Sequence, residues 1–273
     1  MRNNQNRVAA RAAPSSPATT QNTVSYEVPT EFVELPSKGR LYSEDHPLSG
    51  QETIEIKFMT AKDEDILSSA ALIKKGLVID RLLENLIVVD VDPTTLLVGD
   101  RNAIMVAARI SGYGKNYHAT VNCPNCQTRV EHPFDLSQSN ISENCFDESF
   151  LTENGVRLDE GQKTFVVVLP NSNAEVGVKI LTGIDEKNLV NLDEDHPVTS
   201  TLATFIVSVN GDNNPSAVTS FVENMPARDS KFLRDLYVML VPDIDLKQEF
   251  MCQACFHNGK MEVPLTAEFF WPG

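Results

Sequence analysis

VNCPNCQTRV (residues 121–130) and FMCQACFHNG (residues 250–259) each carry two cysteines two residues apart. Only five cysteines occur in 273 residues, and these pairs, Cys123 with Cys126 and Cys252 with Cys255, hold four of them. The N-terminal stretch has no apolar h-region of a secretory signal. The longest apolar runs, LIVV at 86–89 and FVVVL at 165–169, fall far short of the ~20 residues needed to cross a bilayer. The chain is therefore expected in a reducing compartment, where CxxC reads as metal or redox chemistry before it reads as disulfide.

Four thiolates suit Zn²⁺ in a closed tetrahedral site. A two-residue spacing lets both sulfurs of one turn reach the same ion, so each pair reads as one knuckle of a zinc ribbon. The separation is affordable in energy: closing a loop of ~126 residues costs about 4 kcal/mol, against roughly 10–16 kcal/mol of apparent zinc binding. Three other readings of the cysteines stay open: two separate redox dithiols, buried free thiols, or a catalytic zinc. A Cys₄ set leaves no open coordination position, which counts against the last. His118, His132 and His257 lie near enough in sequence to replace a cysteine. Gln127 and Phe256 stand where many knuckles have glycine. Asn258-Gly259 reads as a hairpin turn. Arg129 and Lys260 are placed to offset the charge of a tetrathiolate. Cys145 has no CxxC partner and reads as an idle thiol in a linker.

Working outward, IKFMTAKDEDIL (56–67) lies over VKILTGIDEKNL (178–189) without a gap. Lys57 meets Lys179, Thr60 meets Thr182, Asp63 meets Asp185, Glu64 meets Glu186 and Leu67 meets Leu189. Each copy runs from a β-rich stretch into a Thr with an acid three residues on, the pattern of a capping-box helix start. Downstream, Asp100 and Asp229 each open an amphipathic stretch, and each precedes the first cysteine of its knuckle by 23 positions. Helices are expected over 64–74, 77–88, 93–98, 198–208 and 216–224. EDHP at 44–47 and at 194–197 is out of register with this repeat and reads as surface turns.

The expected fold is α+β, with two pseudo-repeats of strand, helices and CxxC hairpin joined through one Cys₄ zinc-ribbon-like site. Residues 1–25 read as a disordered tail and 26–140 as the first repeat. Residues 141–160 read as a linker and 161–273 as the second repeat. Duplicated units this short pack against each other because neither buries its apolar face alone.

The net charge is −15, and the tail contributes Arg2, Arg7 and Arg11 without an acid. So acidic a body repels phosphate, and the expected partners are protein surfaces. No HExxH, P-loop, GxSxG or dinucleotide fingerprint occurs, so no catalytic residues are assigned. KDED at 62–65 fits helix-dipole compensation better than a metal cluster. Phe269, Phe270 and Trp271 in EFFWPG either fold back onto the core or stay exposed as an aromatic anchor.

Several stretches together resemble a family of tailed-phage proteins, the baseplate hub and hub-assembly proteins of T-even-type myoviruses. They are ELPSKGRLY (34–42), IEIKFMTAKDEDIL (54–67), LLVGDRNAIMVAARISGYGKNY (96–117), VNCPNC (121–126) and the terminal cysteine pair with its VPL strand. The likeness is closest over about residues 30–140. It implies a structural or assembly component acting through contacts with other tail or hub proteins. The implied location is the virion baseplate, or the host cytoplasm during assembly. The alternative is a zinc-ribbon regulator touching nucleic acid or RNA polymerase, which should carry a basic stripe with interleaved aromatics.

Overall fold

In the structure, a computed structural model that describes residues 27–142, 144–190, 197–265 and 267–270, strand β1 (Thr30–Glu34) pairs antiparallel with β2 (Thr53–Lys57). The expected tail, the second EDHP apart from its proline, and Trp271 lie outside the described residues. In β2 the period-two alternation sends Ile54 and Ile56 inward while Thr53 and Lys57 stay exposed.

Helices α1 (Ala61–Leu67), α2 (Ala70–Lys75) and α3 (Val78–Leu86) follow. The single helix expected over 64–74 is two, broken at Ser68-Ser69. Serine there competes for backbone hydrogen bonds and favours caps over helix interiors. Helix α3 buries Val78, Leu82, Leu83 and Leu86, one stripe at helical spacing.

Helix α4 (Val98–Tyr113) runs through the middle and buries Ala103, Ile104, Met105, Val106 and Ala108. It leads into hairpin β3 (Asn116–Asn122) and β4 (Arg129–Asp135). Residues 141–160 are not a bare linker. They carry part of β5 (Asn140–Ser142), helix α5 (Glu148–Glu153) and all of β6 (Val156–Asp159). Strand β6 joins β7 (Thr164–Val168) and β8 (Glu175–Val178) in an antiparallel sheet.

After α6 (Gly183–Val190) and α7 (Pro197–Phe205), the chain becomes β9 (Ile206–Val209), the fourth strand, in the order β6-β7-β8-β9. The helix expected to 208 stops at Phe205 because Ile206-Val207-Ser208-Val209, three of whose four residues are β-branched, pairs along β8. Helices α8 (Pro215–Glu223) and α9 (Ala227–Leu240) lead into β10 (Asp243–Asp245), and β11 (Lys247–Met251) with β12 (Asn258–Glu262) form the last hairpin.

Several contacts place the start of α4 among later elements. Strand β10 pairs with β5. The amide of Val98 donates to Leu181 O at 3.0 Å, and that of Gly183 to Leu96 O at 2.9 Å. Asn102 Nδ2 lies 3.2 and 3.1 Å from the two carboxylate oxygens of Asp243. A Cβ on Gly99 would stand 1.9 Å from Pro242 O, so only glycine permits this approach.

The paired acids sit in closely similar settings. Asp63 accepts from the amide and hydroxyl of Thr60 at 2.8 and 2.7 Å. Asp185 accepts from those of Thr182 at 3.0 and 2.8 Å. Asp100, buried in the first turn of α4, accepts from Ser37 N at 2.9 Å, Ser37 Oγ at 2.6 Å and the Tyr42 hydroxyl at 2.7 Å. Burial pushes its pKa up, and those three donors pull against the rise. Asp229, buried in the first turn of α9, accepts from Asn171 N at 2.8 Å and Ser172 N at 2.9 Å. Ser37 follows Leu35-Pro36, and Asn171 follows Leu169-Pro170.

Candidate metal centre

Each knuckle is built the same way. Helix α4 delivers β3 and α9 delivers β10 and β11, and the chain then turns inside the cysteine motif itself. In the first, Gln127 N donates to Cys123 O at 2.9 Å and Cys123 N to Thr128 O at 3.0 Å. In the second, Phe256 N donates to Cys252 O at 2.9 Å and Cys252 N to His257 O at 2.9 Å. The turn expected at Asn258-Gly259 is therefore not there. Both residues are already in β12, opposite Met251 and Phe250. The same logic explains how TRVEHPFDL forms a hairpin strand without a turn signal of its own: the cysteine motif is the turn.

The four sulfurs converge. Cys123 Sγ lies 3.7 Å from Cys255 Sγ, and Cys126 Sγ lies 3.8 Å from Cys252 Sγ. All four lie within 4.8 Å of one another, and all are thiols. Sulfurs ~2.3 Å from a central Zn²⁺ in a tetrahedron stand about 3.8 Å apart. The donor set thus fits a closed tetrahedral ion with no coordination position left over.

Polar groups inside the first knuckle tune the site. Thr128 Oγ1 lies 3.3 Å from Cys126 Sγ, and Asn125 Nδ2 donates to Cys255 Sγ at 3.6 Å. The Thr128 hydroxyl and amide lower the Cys126 pKa, whereas burial raises that of Cys123. Sequence reasoning missed Asn125 and Thr128, and named Arg129 and Lys260 instead. Nothing in a composition pattern separates an amide that reaches a sulfur from one that faces water.

Two of the three nearby histidines take other roles. His118 Nδ1 lies 3.5 Å from Glu131 on the neighbouring strand. The His132 ring packs edge-on between Phe134 at 4.7 Å and Phe250 at 5.2 Å, joining the two hairpins by an aromatic seam. Gln248 adds a polar tie, accepting from Asp135 N at 3.0 Å and donating to Asp135 O at 2.8 Å. Cys145 is buried away from the cluster, between β5 and α5. Phe269 and Phe270 are also buried, Phe269 against Tyr117, which removes them as free contact residues. Arg109 Nε holds the Phe269 carbonyl at 2.9 Å. Among the described residues no helix is long and apolar enough to cross a membrane.

Compared with known proteins, residues 29–271 match the sequence model of a family described as T4 bacteriophage base plate protein. No curated protein and no solved structure matches the chain.

Proposed function

The chain belongs to the T4 bacteriophage base plate protein family, and from that premise we propose that it is a structural or assembly component of the baseplate hub. It works through protein–protein contacts, without catalysis, in the virion tail or in the host cytoplasm while the tail is built. The family match over residues 29–271 carries this reading. The −15 charge supports protein partners over nucleic acid.

Within that role, Cys123, Cys126, Cys252 and Cys255 hold one structural Zn²⁺. The ion clamps the end of a first pseudo-repeat (26–140) to the end of a second (161–273). Support for the duplication comes from matched detail: the Thr60–Asp63 and Thr182–Asp185 pairs, the Asp100 and Asp229 carboxylates on Leu-Pro turns, and two knuckles with the same hydrogen bonds.

The test is complementation. A phage lacking this gene should give tails only when the chain is supplied from a plasmid. The tagged chain should capture hub proteins from infected cells and not from uninfected ones. Normal tails without the chain would overturn the reading. Salt-dependent DNA binding by the purified chain, with no hub protein captured, would favour the regulator instead.

A further inference from the structure

The two knuckles share a backbone, and the side chain that follows the second cysteine differs sharply between them. Gln127 has φ 59° and Phe256 φ 58°, both in the left-handed region where a Cβ is strained and glycine is not. Gln127 is polar, and its amide reaches Pro124 O at 3.4 Å. Phe256 projects into solvent with 79% of its surface exposed, and Met251, one residue before the cysteine motif, is 61% exposed. Phe256 thus combines a strained backbone with an unburied aromatic ring. Neither helps the isolated chain.

Its surroundings point the same way. Residues 121–128 and 250–259 contain no Asp, Glu, Lys or Arg, in a chain where 22% of residues are charged. Most of these residues are exposed, among them Asn122, Pro124, Asn125, Gln127, Gln253 and Ala254. Interface centres are depleted of charge and enriched in aromatics and Met, while ordinary surface is not. A bilayer is a poor occupant, because no cationic side chain flanks the ring within the knuckle and the whole chain is acidic.

We propose that the metal-bearing tip is a docking surface on which Phe256, with Met251, enters an apolar socket of a neighbouring tail protein. A zinc tetrathiolate beneath the tip carries a charge of −2, so the rim of that socket presents hydrogen-bond donors. This rests on the baseplate reading above and identifies the face that the role uses.

The experiment compares wild type with Phe256→Gly, Phe256→Ala and Gln127→Gly in the full chain. Both glycine variants should keep wild-type zinc content, and their melting temperatures should rise by about 2 °C as the left-handed strain is relieved. Gln127→Gly should complement the gene-deleted phage fully. Phe256→Gly and Phe256→Ala should lower tail yield at least tenfold. Wild-type tail yield from the Phe256 variants would overturn the proposal and leave the baseplate role standing. Loss of zinc or a fall in melting temperature in Phe256→Gly would also overturn it, by making the ring structural. Phe256-dependent dimers in sedimentation, or binding to anionic vesicles, would replace the socket with a second copy or a membrane. Normal tails without any copy of the chain would remove both this proposal and the role it rests on.

Discussion

The side-chain amide of Gln248 satisfies both backbone groups of Asp135, taking its N–H at 3.0 Å and giving to its carbonyl at 2.8 Å. One amide thus behaves as an extra rung between the two hairpins that carry the cysteine pairs. Gln248→Ala leaves a partly buried N–H without its partner, a loss of about 1–3 kcal/mol. Zinc titration should show weaker affinity as well as lower stability. An unchanged affinity would separate the tie from the site.

Metal removal gives the broadest test of the clamp. Elemental analysis should find one zinc per chain, and Cys252→Ser should lower that content. Chelation should depress the melting temperature by about 10 °C or more, since a structural zinc contributes many kcal/mol and each costs a chain of this size a few degrees. A melting curve indifferent to chelator would refute the clamp.

Asp100 and Asp229 should differ in weight. Asp100→Ala strands three donors, the amide and hydroxyl of Ser37 and the hydroxyl of Tyr42. Asp229→Ala strands two amides, those of Asn171 and Ser172. Urea unfolding should show losses of ~3–5 kcal/mol for the first and somewhat less for the second. Equal effects would mean that water replaces the lost acceptor at Asp100.

Gly99→Ala drives a methyl into the carbonyl of Pro242, which is backbone and cannot swing aside. The expected loss is about 1–3 kcal/mol, and protection from amide exchange should fall in both α4 and β10. A wild-type melting curve would show that the approach is looser than 1.9 Å.

Burial raises the Asp243 pKa to about 6, against the hydrogen bonds from Asn102 and the Ile244 amide. Glu262 and Asp100 add to the rise. A carboxyl that holds its proton more tightly folded than unfolded stabilises the fold at low pH, and that contribution fades as pH climbs from about 4 through 6. Asp243→Asn should flatten this part of the stability profile, by an amount of the order of 2 kcal/mol. A slope identical to wild type would assign the titration elsewhere.

The parts legible in the sequence were those with a short-range signature. Two CxxC pairs announced the four sulfurs, Thr60 and Thr182 with their acids marked the starts of helices, and the β-rich stretch before Thr60 marked β2. The missed parts depend on distance along the chain. That residues 156–159 would extend a sheet rather than link repeats depends on β7, and the pairing of β5 with β10 spans about a hundred residues, where no local propensity reports. The turn of the second knuckle differs from the expected Asn258-Gly259, a dipeptide that is a strong hairpin signal. The cysteine motif overrides it by supplying Phe256 in the left-handed conformation. Gln248 is invisible in the sequence, since a surface strand and an interhairpin tie call for the same residue type.

Cys252 follows Cys126 by 126 positions, and that separation also sets a clock. At about 5–20 residues per second, a ribosome needs roughly 6–25 s to supply the second pair after the first has been made. Through that interval the first cysteine pair waits on a nascent chain that still lacks β10, β11 and β12. Convergence of the four sulfurs therefore waits on synthesis of the second knuckle, and an ion held by all four can be enclosed only after it.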